Sequence, residues 1–97
     1  MGTGMERFSS PFGIIELTSE RLSHIYRFHP EIRPLKKHFA ETLSSPQTIR
    51  RSGHDRQVMI FYSPVPGKKY LAIVVKINRR NFILTAYVTN KIQHLPL

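Results

Sequence analysis

The stretch Phe82-Ile83-Leu84-Thr85-Ala86-Tyr87-Val88 does most to limit what this chain can fold into. Strand side chains alternate between two faces. Phe82, Leu84, Ala86 and Val88 therefore fall on one face, and Ile83, Thr85, Tyr87 and Thr89 on the other. The preceding residues 70–78 are almost continuously apolar, as a central strand is. With Arg79 and Arg80 in the turn, Ile77 pairs with Phe82, Val75 with Leu84 and Ile73 with Ala86. That register brings the apolar faces together, as burial of one face demands. The opposite face then gathers Ala72, Val74, Lys76, Thr85 and Tyr87, and Tyr62 and Arg56 join it if Tyr62 pairs with Tyr70.

The other elements follow from local signals. Residues 13–17 read as a short leading strand, and Thr18 or Ser19 as the N-cap of a helix that runs to Phe28. Leu22, Ile25, Tyr26 and His29 form its inward stripe, with His24 well off it. Pro30 stops that helix. A second helix is expected over residues 33–43, with Pro34 in its first turn and Ile32, Leu35, Phe39, Thr42 and Leu43 facing inward. Ser44-Ser45-Pro46 ends it. Residues 48–52, 56–63, 70–78 and 81–89 read as four strands.

At 97 residues the chain has the length of one domain. Residues 12–97 are expected to fold and residues 1–11 to be disordered, with 1–4 an added remnant ahead of a true start at Met5. The absence of cysteine excludes disulfides and thiolate chemistry, which fits the cytoplasm. No apolar run approaches the roughly 20 residues that cross a bilayer, so no membrane association is expected.

The net charge of +9 is unevenly placed. Through Glu41 there are six basic and five acidic residues; from Thr42 onward nine basic residues stand against Asp55 alone. A basic surface attracts nucleic acid by counterion release. Anionic lipid is the weaker reading, because the charges lie among strands and not on an amphipathic helix.

RNA can be cleaved without a metal. A base takes the 2′-hydroxyl proton, the oxygen attacks phosphorus, and an acid protonates the leaving oxygen. Cations and neutral donors stabilise the phosphoryl charge. Histidine exchanges protons near neutral pH, and His24, on a helix flank, is the first candidate, although a solvated helix histidine looks the same. His29 reads as a turn residue before Pro30; His38, His54 and His94 read as surface or loop positions. No histidine pair has metal-ligand spacing with a third ligand, and carboxylates are too few for a two-metal nuclease. No cofactor is expected.

Lys76 interrupts an apolar strand and is rarely buried unpaired. Arg50 and Arg51 are adjacent on a short strand, so one points to each face. Thr85 and Tyr87 are suited to a phosphate oxygen and a base, though both are also ordinary strand residues.

In serial order, His24-Ile25, His29-Pro30-Glu31-Ile32, residues 42–49, Tyr62, residues 70–77 and residues 83–89 resemble the phage-type nuclease domains of the barnase, EndoU, colicin and RelE superfamily. The resemblance spans residues 13–92. It implies an α+β fold: two N-terminal helices packed on one face of a four-stranded antiparallel sheet, with or without a short leading strand. It further implies metal-independent RNA cleavage, and an antitoxin or immunity protein as partner. By position it makes His24, Arg50 or Arg51, Lys76, Thr85 and Tyr87 catalytic, and Tyr62 part of the same site. Arg56, Lys68, Lys69, Arg79 and Arg80 are the further cations expected to hold substrate. The rival expectations are a non-catalytic RNA-binding module and an inactive toxin-like domain that binds a protein.

Overall fold

The computed structural model describes residues 4–92. Six strands form one mixed sheet: β1 (Met5–Ser10), β2 (Gly13–Thr18), β3 (Thr48–Arg51), β4 (Val58–Val65), β5 (Lys69–Lys76) and β6 (Asn81–Thr89), in the order β1-β2-β6-β5-β4-β3. Between β2 and β3 lie α1 (Ser19–Phe28), a 3-10 segment (Pro30–His38) and α2 (Phe39–Ser44). The expected four-stranded antiparallel sheet is therefore corrected on two counts. It has six strands, and β2 runs parallel to β6, pairing Ile15 with Asn81 and Glu16 with Phe82. Residues 5–10, expected to be disordered, pair along their whole length with β2.

The second helical stretch is one 15-residue segment, residues 30–44, that starts earlier than expected. Pro30 and Pro34 explain its tight first part. Pro34 has no N–H to return to the carbonyl four residues back, so the chain takes the 3-10 path until Phe39. Thr18 is the N-cap of α1, its hydroxyl accepting from Arg21 N–H at 3.0 Å.

Both helical segments bury into the same side of the sheet. Ile25, Ile32, Phe39 and Leu43 join Ile15, Leu17, Phe61, Leu71, Ile73, Val75, Ile83 and Ala86 in one cluster, each 2% exposed or less. Full burial of such side chains is worth about 1.5–3 kcal/mol apiece. The sheet curls around α2: Phe8 of β1 meets Phe39 with ring centroids 6.4 Å apart, and Phe12 meets Phe61 edge-on at 6.0 Å. Lys36 ties the 3-10 segment to β1 through Glu6 at 2.8 Å.

The β5–β6 register departs from expectation at a bulge. Ile73 does pair with Ala86, but Val75 pairs with Ile83 and Lys76 with Phe82, leaving Leu84 as the extra residue on β6. A bulge bends one strand and shifts alternation by one position. Ile83 consequently takes the buried place expected for Leu84, and Phe82 turns out to solvent, 38% exposed. Tyr62 pairs with Ala72, not Tyr70.

Candidate functional site on the far face of the sheet

The face away from the helices has its own small cluster, Ile60, Tyr62 and Ala72, with Tyr70, Val74, Tyr87 and Ile92 packed against it. None of the buried helix residues belongs to it. Pairing arranges this face in successive rungs, each about 7 Å from the next because two residues separate them along a strand. One rung carries Phe82, Lys76 and Val58; the next Thr85, Val74, Ile60 and Arg50; the third Tyr87, Ala72, Tyr62 and Thr48. Lys76, Thr85, Tyr87 and Arg50 thus share one surface.

Register also separates the two arginines. Arg50 lies opposite Ile60 on the far face, its Nη1 donating to Thr48 Oγ1 at 2.6 Å and Ile49 O at 3.3 Å. Arg51 lies opposite Met59 of the helix-side cluster, and among the described residues its buried Nε has no hydrogen-bond partner. Arg51 is therefore removed from the site.

Lys76 Nζ donates to Asp55 Oδ2 at 2.5 Å. That bond, followed by one from Gln57 N–H at 2.9 Å, holds the Asp55 carboxyl below its usual range. An ammonium has three donors, so two remain for a ligand. Tyr87 is half-buried, and burial pushes its hydroxyl above the usual tyrosine range, aided by the charge of Tyr62 and a hydrogen bond with it. Tyr62 is only 1% exposed. It backs Tyr87, whereas on sequence grounds it was expected to hold substrate.

The remaining cations divide between the two ends of the strands. The 52–57 loop and the β5–β6 turn adjoin, Ile77 N–H donating to Gln57 O at 2.7 Å. Exposed Arg56 and Arg79 therefore lie at the Lys76 end. Arg80 is at that end too, but it forms a bidentate pair with Glu16 at 2.9–3.1 Å that lowers the Glu16 carboxyl and raises the guanidinium. Lys68 lies in the β4–β5 turn and Lys69 opens β5 at the opposite end, so they do not join the Lys76 group.

His24 is exposed, its ring 4.8 Å from that of Phe28. It lines a shallow hollow with Thr18, Glu20 and Arg21, next to one that holds Arg80 and Phe82. Among the described residues no contact joins it to Lys76, Thr85 or Tyr87. The histidine that reaches Tyr87 is His29, with ring centroids 6.1 Å apart. The signal for it was its place on the inward stripe of α1. His54 is exposed in the 52–57 loop, His38 ends the 3-10 segment, and His94 lies outside the described residues.

Among the described residues no three His, Asp or Glu side chains converge, and no helix is long and apolar enough to cross a membrane. The chain matches no protein-family model, no curated protein and no solved structure.

Proposed function

We propose that this protein is a cytoplasmic, metal-independent endoribonuclease domain of the barnase, EndoU, colicin and RelE kind, with RNA as its substrate and an antitoxin or immunity protein as a partner. One observation supports this above the others. Lys76, Thr85, Arg50 and Tyr87 occupy consecutive rungs of the sheet face opposite the buried helix residues, with His29 from the end of α1 reaching its Tyr87 edge. Lys76 and Arg50 counter the phosphoryl charge, Thr85 donates to a phosphate oxygen, and Tyr87, backed by Tyr62, receives a base or the leaving group. Exposed Arg56 and Arg79 extend the positive field along the path of the strand. The proton-transfer residue comes from the end of α1: His29, which reaches Tyr87, takes the place expected for His24.

Incubation of the protein with total RNA in EDTA, followed by end-group analysis, tests the reading. New 2′,3′-cyclic phosphate ends are expected. Intact RNA at low salt and high protein would defeat it.

The ion pair between Lys76 and Asp55 favours one second reading, a module that binds RNA without cutting it. It predicts binding that weakens steeply with salt and no shortened product.

A further inference from the structure

We propose that His29 and Tyr87 form the acid–base pair of this site, with Glu31 holding the imidazole; the inference rests on the RNA-cleavage reading above. His29 is fixed on every side. Its N–H donates to Ile25 O at 2.7 Å, its carbonyl accepts from Ile32 N–H at 3.0 Å, and Pro30 follows it. Its Nδ1 lies 3.6 Å from Glu31 Oε2. At that distance Glu31 is an ion-pair partner and not a hydrogen-bond acceptor; its negative charge favours hydrogen on Nδ1, which leaves Nε2 as the atom that takes a proton. The groups that face this ring are Glu31 from the 3-10 segment and Tyr87 from β6, with Tyr62 of β4 behind Tyr87. Tyr26 on the same stripe of α1 is occupied by the Arg33 guanidinium, 4.3 Å from its ring centre.

The contact with Tyr87 completes the pair. The imidazole Nε2 takes the proton of the 2′-hydroxyl while the O2′–P bond forms. The P–O5′ bond breaks and O5′ takes the phenolic proton of Tyr87. The imidazolium then returns a proton to the phenolate, so the site ends as it began and one proton has moved from O2′ to O5′. Burial keeps the Tyr87 hydroxyl protonated until it is needed.

Two substrates separate the roles: a ribodinucleotide, and uridine 3′-(4-nitrophenyl phosphate), whose leaving group needs no proton. His29→Ala is expected to lose about a hundredfold on both, general-base catalysis being worth that much. Free imidazole restores part of the loss, and kcat no longer falls on acidification. Tyr87→Phe loses a similar factor on the dinucleotide but stays within about threefold of wild type on the nitrophenyl ester, because only the acid is missing. Glu31→Gln, at a half-exposed carboxylate, lowers kcat with KM unchanged. A wild type that cleaves beside a folded His29→Ala of equal rate overturns the pair and leaves the ribonuclease reading intact. Should His29→Ala fail to fold, an unchanged kcat in Glu31→Gln, or equal losses on both substrates in Tyr87→Phe, overturns it. A wild type that cleaves neither substrate ends both readings.

Discussion

The two faces of the β5–β6 hairpin differ in what their neighbours demand of them. On the helix side, Leu71, Ile73, Val75, Ile83 and Ala86 pack with Ile25, Ile32, Phe39, Leu43 and other apolar side chains. On the far side the same strands alternate Ala72 and Val74 with Lys76, Thr85 and Tyr87. The first face is a packing surface, where shape and volume decide everything. The second buries carbon around Tyr62, yet keeps a cation, a hydroxyl and a phenol at its rim. Stability thus resides mainly on one face, and the groups that the proposed cleavage calls on reside on the other.

Substitutions should expose that division. Phe39→Ala empties the centre of the helix-side cluster and is expected to cost about 3–5 kcal/mol in chemical denaturation, with RNA cleavage lost only through unfolding. Lys76→Ala does the reverse. It should lower cleavage at least about tenfold, toward the roughly hundredfold or more lost when one donor to a developing oxyanion is removed, and barely move the unfolding midpoint. A loss of stability larger than the loss of activity in that variant would erase the distinction.

Tyr87→Phe removes a half-buried hydrogen bond with Tyr62, at a cost of about 1 kcal/mol. It also tests the sign of the Tyr87 shift. A hydroxyl raised in the folded state contributes stability that is complete below the unfolded value and is lost as pH rises through the folded one. Wild type is therefore expected to lose midpoint stability above about pH 10, the ordinary tyrosine value, and Tyr87→Phe to lose less of it. Asp55 should act in the opposite window. Its lowered carboxyl stabilises the fold above the ordinary aspartate range, and that contribution disappears on acidification. Asp55→Asn should flatten the acid side of the stability profile slightly while freeing Lys76. The smallest effect is that of Arg79→Ala, a cation beyond the site, which should reduce the salt slope of RNA binding by about one and leave the cleavage pattern alone.

Much of the helix-side face was legible because period and burial agree there. The apolar run of β5 and the alternation in β6 predicted two long paired strands and placed Ile73 opposite Ala86 correctly. The bulge was not legible. Ile83 and Leu84 are equally apolar, so only packing decides which of them turns inward. β1 escaped because Met5–Ser10 has a single buried residue, Phe8, and thus no period to detect. The parallel pairing of β2 with β6 joins segments more than 60 residues apart, and no local signal reports it.

The same reasoning sorts the site. Lys76, Thr85 and Tyr87 share a face by simple alternation, which survives the bulge because Leu84 precedes Thr85. The choice between Arg50 and Arg51 needed the β3–β4 register. His29 was on the inward stripe yet was set aside as a turn residue before Pro30, in favour of His24 on the exposed flank of the helix. The contact with Tyr87 depends on α1 following β2 and ending beside β6, which the sequence pattern does not reveal.

Titration with a short 2′-O-methyl RNA, which binds but cannot be cleaved, followed by amide chemical shifts, tests the division between the faces most directly. The account predicts saturable shifts at Val74, Lys76, Thr85 and Tyr87, with Ser23, Arg27, Lys37 and Ala40 on the helical exterior unmoved. Shifts confined to the helical exterior, or none at low salt, would contradict it.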